Sequence, residues 1–577
     1  MTGRSARATP NTWRPDADHL LPGLTQFSQY ERSWLRADLT AGVTVAAYLI
    51  PQAMAYATLA GLPPVTGLWA ALVPLALYAV LGSSRQLSVG PEASTTAMTA
   101  ATLGPIAGGD AGRYAASAAV LALLVGAVCL IGGLLRLGFL ANLLSRPILV
   151  GYMAGIALVM IAGQLGKITG TEVAGSEFIS QTASFITHLA EVHWLTVTLA
   201  AAVIAIQLLL AIRAARLPGP LIAVVLASVV VLVWSLESRG VAVVGAVPSG
   251  LPGIDIPVLG LDEIVALIFP AVGIAIVAFS DNVVTARVFA ARSGQEIDAN
   301  AEMRALGMCN IGAGLTHGFP VSSSGSRTAI GHALGSRTQV ASLTSLGAVI
   351  IVLALGGGVL STVPLAALGG LVIVAALHLI DGSEFRRLAG FRRSELILAV
   401  ATTAAVMVLG VLYGVLVAVA LSILDLMRRV ARAHDSVLGF VPGLPGMHDI
   451  DDYPQAKLLP GLVMYRYDAP LCFANAEDFR LRALEAVDAY PQPVEWFVLN
   501  AEANSEVDLT ALDALERLRV ELGRRGVQFA MARVKQDLRD ALQAAGMLES
   551  IGSDHIYPTL PTAVAAFRQR GGNAGSS

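Results

Sequence analysis

The chain has 577 residues, 55% hydrophobic and only 14% charged, with a mean hydropathy of +0.67. A soluble domain usually carries about a quarter charged residues, so the composition excludes a wholly soluble protein and indicates a polytopic α-helical membrane protein. The net charge of −3 averages two unlike parts, no basic patch points to nucleic acid, and Cys129, Cys309 and Cys472 lie too far apart to outline a disulfide framework or a metal site.

Residues 1–37 read as a polar cytoplasmic tail without the short apolar core of a cleavable signal, so the first apolar run reads as a retained span. Residues 38–430 hold fourteen candidate spans, at 39–60, 64–81, 90–104, 114–135, 146–163, 193–212, 219–236, 264–286, 303–317, 322–335, 339–356, 363–380, 395–410 and 411–428. The segments at 90–104 and 322–335 fall short of the roughly 20 residues a helix needs to cross a bilayer.

Arginine tests the topology. With the N-terminus inside, Arg32, Arg85, Arg136, Arg146, Arg213, Arg287, Arg337, Arg386, Arg392 and Arg428, with their arginine neighbours, fall on the cytoplasmic side. The outer loops keep little beyond Arg113, Lys167 and Arg239. This asymmetry predicts an even span count and both chain ends in the cytoplasm.

Residues 431–457, with VPGLPGMHDIDDYP, read as a linker, and residues 458–570 as a small soluble α/β domain. There GLVMYRYDAP, EWFVLNAEA and VQFAMARV read as strands, while DLTALDALERLRVELGRRG and QDLRDALQAAGM read as helices ending at glycine. Residues 571–577 read as a disordered tail.

Three charges stand isolated in apolar surroundings: Glu92, Asp281 and Arg327. Each would cost about 2.5–3.5 kcal/mol at a helix centre on the insertion scale, so an intramembrane charge is read as functional and as paired. Glu92 lies in GPEASTT at the start of the first short span, and Arg327 in SSSGSRT near the start of the second. These are the third spans of two successive sets of seven, and an odd-numbered repeat must be inverted in the membrane. The two half-helices are therefore expected to meet amino end to amino end. Gly90 and Pro91 would end an extended segment, with Pro91 in the first helical turn. The free amides and positive dipole ends form an anion site. Ser94, Thr95, Ser324 and Ser326 add hydroxyl donors, Gly325 with the surrounding serines makes the site donor-rich, and Arg327 adds a planar cationic fork. Glu92 can cap its helix or carry a proton with the anion.

The run AGVTVAAYLIPQAMAYATLAGLPPVTGLWAALVPLALYAVLGSSRQLSVGP resembles the signature of the SulP anion permeases, the solute carrier 26 type. The runs DNVVTARVFAARSGQEIDANAEMRALGMCNIGAG and FPVSSSGSRTAI resemble the second core of that family, and the C-terminal part resembles a STAS domain. The likeness spans about residues 20–570 and is greatest to actinobacterial sulfate permeases.

The resemblance implies seven-plus-seven inverted repeats in a UraA-like core and gate, an elevator-like movement and a homodimer. It implies that Gln52 and Tyr56 face substrate, with Glu92 and Ala93 at the first turn of the third span and Ser326 and Arg327 as the anion-site pair. It further implies that Asp281, with Thr285 one turn on, couples a cation. Relatives carry an uncharged residue where this chain has Glu92, which favours proton symport. Thr510 stands where regulatory relatives carry a phosphorylatable residue, although Asp508 or Thr510 also suits a helix cap.

The expected function is proton-coupled uptake of a small inorganic anion, sulfate first, across the cell (inner) membrane, with no cofactor. Alternatives are a sodium- or proton-coupled bicarbonate or C4-dicarboxylate transporter, an anion exchanger, or a STAS-based membrane sensor with a cytosolic protein partner. Neither a Walker A motif, a Ser-His-Asp arrangement nor a metal-ligand cluster stands out, so an enzyme is not expected.

Overall fold

A computed structural model describes residues 22–28, 30–104, 110–142, 145–175, 178–214, 217–246, 248 and 250–574. The apolar runs fold into helices α1 (Leu35–Leu59), α2 (Pro64–Leu81), α3 (Ala93–Leu103), α4 (Ala111–Leu134), α5 (Arg146–Thr169), α6 (Trp194–Arg213) and α7 (Gly219–Val233). The second set comprises α8 (Leu261–Arg292), α9 (Ala299–Leu315), α10 (Gly325–Ala333), α11 (Val340–Leu355), α12 (Leu365–Leu379) and α13 (Arg393–Ala431). α13 breaks at Gly410, whose φ of 83° no helix accommodates. Among the described residues, eight helices are long and apolar enough to cross a membrane, and α7 and α11 are shorter apolar ones.

Short polar residues start several helices by accepting orphan amides. Asp110 accepts from Gly112 and Arg113 ahead of α4, and Asp298 accepts from Asn300 ahead of α9. Helices Phe178–Thr187 and Gly382–Phe391 were not foreseen; both are short segments between the apolar runs.

The two short helices are preceded by extended segments, and these pair with each other. Strand β1 (Val89–Gly90) runs antiparallel to β2 (Ser322–Ser323), with Val89 opposite Ser323 and Gly90 opposite Ser322. The Ser324 amide donates to the Ser88 carbonyl at 2.8 Å, and the Ser88 amide donates to Thr328 Oγ1 at 3.0 Å. Antiparallel pairing sends α3 and α10 away from a common point, as an inverted repeat requires. Pro91 lies just outside α3 rather than in its first turn, because Glu92 takes the N-cap position in extended backbone.

Small residues let the helices approach closely. A Cβ on Gly126 of α4 would stand 2.7 Å from the Gly307 carbonyl oxygen of α9, so these backbones meet directly.

The C-terminal unit, from Ile423 onward, holds a six-stranded sheet. Its strands are β3 (Asp435–Phe440), β4 (Met447–Asp449), β5 (Leu462–Tyr467), β6 (Trp496–Asn500), β7 (Gln528–Ala532) and β8 (Ile556–Tyr557), in the order β4-β3-β5-β6-β7-β8. β5 to β8 run parallel, while β3 and β4 are antiparallel additions at one edge. Helices α14 (Ala476–Asp488), α15 (Leu509–Arg524), α16 (Gln536–Ala544) and α17 (Leu560–Ala574) alternate with the strands. Gly526 and Gly546, at φ of 76° and 71°, follow the ends of α15 and α16 as the glycine positions predict. The stretch 431–457, read as a linker, instead supplies β3 and β4. Its Pro, Gly and Asp content hides two short strands: β3 takes its ladder bonds from β5, and β4 pairs with β3 at the edge.

Candidate anion site

Tyr48, Gln52 and Tyr56 recur every four residues on α1, so they share one face of the helix. That face forms one wall of a cavity of about 450 Å³. The start of α3 brings Glu92 and Ala93, α8 brings Asp281 and Thr285, and the start of α10 brings Ser324, Gly325 and Ser326. These nine predicted residues, Gln52 and Tyr56 included, thus meet in one space.

The sequence reading missed Tyr48, Gln207 of α6 and His378 of α12, which also line the cavity. Gln207 and His378 sit in apolar helices without a local motif, so only the tertiary packing reveals them, whereas the four-residue spacing to Gln52 and Tyr56 was a signal for Tyr48. His378 Nδ1 lies 2.7 Å from the Val374 carbonyl. A carbonyl only accepts, so Nδ1 is the donor in this contact.

The two helix starts are capped differently. Glu92 Oε2 accepts from the amide and the hydroxyl of Ser94, at 2.7 and 2.5 Å. Ser94 is therefore spent on the cap, is buried, and does not line the cavity. Ser324 Oγ accepts from the Arg327 amide at 3.4 Å and lies 3.2 Å from Ser326 Oγ. The amides of Gly325 and Ser326 belong to a first turn, where no helical carbonyl can receive them. A Cβ added to Gly325 would meet nothing nearer than Thr285 Oγ1 at 3.9 Å, so this amino end is open.

Arg327 lies behind the wall. It is 1% exposed and is not among the residues lining the cavity. Its Nη1 donates to the Pro91 carbonyl at 3.0 Å and its Nε to Ser88 Oγ at 3.3 Å, while Nη2 has no partner among the described residues. Among those residues neither Glu92 nor Asp281 makes an ion pair, so two carboxylates border the cavity without a cation in contact. The arrangement offers helix-end donors and hydroxyls to an oxyanion, and carboxylate oxygens to a proton or a hard cation.

Thr510 lies in the other unit, exposed in the first turn of α15. The cap there is made by Asp508, which accepts from the Ala511 amide at 2.8 Å and the Phe473 amide at 2.6 Å.

Residues 35–402 match the sulfate permease family, and residues 453–563 match the STAS domain. The chain belongs to the sulfate permease family. A probable sulfate transporter of Mycobacterium tuberculosis (strain CDC 1551 / Oshkosh) is 67% identical over 95% of this chain and 98% of its own. Sulfate transporter 4.1, chloroplastic, of Arabidopsis thaliana is 31% identical over 96% of this chain and 83% of its own. Among solved structures, murine Slc26a9 in the inward-facing state superposes with a TM-score of 0.89 at 23% identity, covering 98% of this chain and 96% of that one. The transmembrane domain of the cyanobacterial bicarbonate transporter BicA gives 0.60 at 23% identity, covering 67% and 98%. These likenesses establish the fold: a multi-pass sulfate permease with inverted repeats and a C-terminal STAS domain.

Proposed function

We propose that this permease imports sulfate together with protons, binding the anion between the amino ends of α3 and α10. The observation that carries the reading is the single cavity where both helix starts meet Glu92 and Asp281. The relatives named sulfate transporters support the choice of substrate. Arg327, fixed behind the amino ends, supplies positive potential without a wall position.

Charge accounting favours protons. Two unit charges about 4 Å apart interact by about 4 kcal/mol at an effective dielectric of about 20. Two ionised carboxylates would each oppose a dianion on that scale, and protonating Glu92 or Asp281 removes the opposition. The cavity residues Leu217, Gly219, His378 and Leu379 lie at the arginine-rich ends of their helices, so the cavity faces the proposed cytoplasmic side. An elevator-like movement of the α3/α10 core would carry the anion across fourteen spans in the cell membrane, with both chain ends in the cytoplasm. Family resemblance supports a homodimer.

The test is uptake of labelled sulfate into proteoliposomes under an inward pH gradient. Uptake that follows the gradient supports the reading; uptake of bicarbonate or succinate but not sulfate rejects the substrate. A second reading has its own observation: Asp281 and Thr285, one turn apart on α8, both present oxygens to the cavity and suit Na⁺. Sulfate flux that requires sodium and ignores pH would select it.

A further inference from the structure

A second cavity, of about 370 Å³, lies at the opposite ends of α6 and α12 and beside the end of α5, away from the arginine-rich face. Its lining includes Gly166, Lys167, Gly170, Thr171, Gln181 and Thr196, and among the described residues no carboxylate lines it. Lys167 is 21 positions after Arg146, which starts α5 on the arginine-rich face. At about 1.5 Å per residue that separation spans the membrane thickness.

The ammonium of Lys167 donates to the carbonyl of Thr58, in the last turn of α1. A cation at a helix carboxyl end is favourable. Tyr56, two residues earlier on α1, lines the substrate cavity. Lys167 thus ties the second cavity to the end of α1, two residues past a side chain that lines the first. Unpartnered polar atoms lie on the same helix and in the cavity lining. Gln164, one turn earlier on α5, is fully buried with both amide atoms unpartnered, and Gln181 Oε1 has no partner either.

The residue type is unusual for this chain. Of its 38 basic residues only Lys167, Lys457 and Lys535 are lysines. A rotatable ammonium can leave one carbonyl and take another acceptor without breaking a planar fork, which an arginine cannot do.

We propose that the second cavity is an external anion subsite, in which Lys167 exchanges the Thr58 carbonyl for an incoming small oxyanion before that anion reaches α3 and α10. The inference rests on the transport reading for its purpose. The ligand class follows from one ammonium, two threonine hydroxyls and an amide in a lining that holds no acid among the described residues. Breaking the Lys167–Thr58 contact on anion capture also frees the end of α1.

The test uses the full-length protein in proteoliposomes and inorganic sulfate as probe. A membrane-impermeant amine-acetylating reagent is applied with sulfate or with an ionic-strength-matched gluconate control, and the three lysine peptides are quantified by mass spectrometry. Sulfate is expected to protect Lys167 severalfold and to leave Lys457 and Lys535 unchanged. In parallel, Lys167→Gln is expected to raise the KM for influx about tenfold, equivalent to about 1.4 kcal/mol, with the maximal rate near wild type and partial recovery in Lys167→Arg. A Lys167 that stays unlabelled in every condition, or that labels equally with and without sulfate, overturns the subsite. Absent sulfate uptake by the wild type, with Lys167 still protected, overturns the transport reading and leaves the subsite standing.

Discussion

The Nη1 of Arg327, on the second half-helix, donates to the carbonyl of Pro91, in the segment leading into the first, at 3.0 Å. One repeat thus fastens the other. The same guanidinium reaches Ser88 Oγ, whose backbone is held by the Ser324 amide and by Thr328 Oγ1. A guanidinium buried at 1% exposure thus ties two broken helices together.

Arg327→Ala removes the tie and the charge. Sulfate affinity is expected to fall at least about tenfold, and the thermal midpoint to drop with the loss of about 1.5–3 kcal/mol of charge-assisted hydrogen bonding. Arg327→Lys keeps the charge but reaches only one acceptor, so affinity should recover more than stability. Isothermal titration and thermal unfolding on purified protein separate the two effects. A lower midpoint with unchanged affinity would make Arg327 a fastening alone.

Much of this geometry was legible in the sequence. Two spans too short to cross, each opening on Gly or Pro and Ser with an isolated charge, announced half-helices, and the repeat parity announced that they meet. The direction of Arg327 was not legible, since a residue type gives a charge and not a heading. Gln207 and His378 join the site only because distant helices pack together. Glu302 escaped notice because it precedes the apolar run at 303–317 by one residue and so read as a surface charge. In the soluble part the parallel strands were clear, whereas β3 and β4 lay hidden among turn residues.

Glu92 combines a cap with a cavity position, and Glu92→Gln separates them. The amide oxygen can still accept from the Ser94 amide, so folding should be unaffected. The amide cannot take up a proton. If Glu92 carries the coupled proton, stimulation of sulfate uptake by an inward pH gradient should disappear while sulfate–sulfate exchange persists. Full stimulation in this variant would reduce Glu92 to a cap.

Gly67 of α2 packs on α1 without any gap. A Cβ there would sit 1.9 Å from the Ala53 carbonyl oxygen, between Gln52 and Tyr56 in sequence. Backbone cannot yield as a flexible side chain can, so Gly67→Ala should cost about 1–3 kcal/mol or more. It should also displace the site face of α1. Lower yield and thermal midpoint are expected, with Gly347→Ala, where a Cβ meets nothing within 4 Å, as the neutral control.

In the C-terminal unit His434 Nε2 lies 3.0 Å from Asp449 Oδ2. This hydrogen bond raises the pKa of His434 above its ordinary value. A raised folded-state pKa gives stabilisation that is complete below the unfolded value of about 6.5 and is lost as pH climbs through the folded value. Rate-corrected hydrogen exchange over β3 and β4 should therefore show more protection at low than at high pH. His434→Gln should abolish the difference. Equal protection across that range would remove the ion pair as a fastening of this edge.

Glu302 of α9 is a fully buried carboxylate held by hydrogen bonds alone, with no ion pair among the described residues. Oε1 accepts from the Ser83 amide at 2.8 Å, Ser83 Oγ at 2.7 Å and the Ser84 amide at 3.2 Å. Oε2 accepts from Tyr78 at 2.8 Å and from Asn282 Nδ2 at 2.7 Å. The group thus joins α2, the segment that leads to β1, and α8 beside Asp281. Glu302→Gln keeps an oxygen for the Ser83 and Ser84 side but turns an NH₂ toward Asn282, donor against donor. Flipping the Asn282 amide would present its unpartnered Oδ1 instead and strand its Nδ2, so one buried group is left unpaired either way. A loss of about 1–3 kcal/mol is expected. Glu302→Ala strands the Ser83 and Ser84 donors as well and should be clearly worse. Thermal unfolding of the two variants beside wild type measures this order. A Gln variant as stable as wild type would mean that the charge itself contributes nothing, and an Ala variant as stable would mean that the network holds nothing in place.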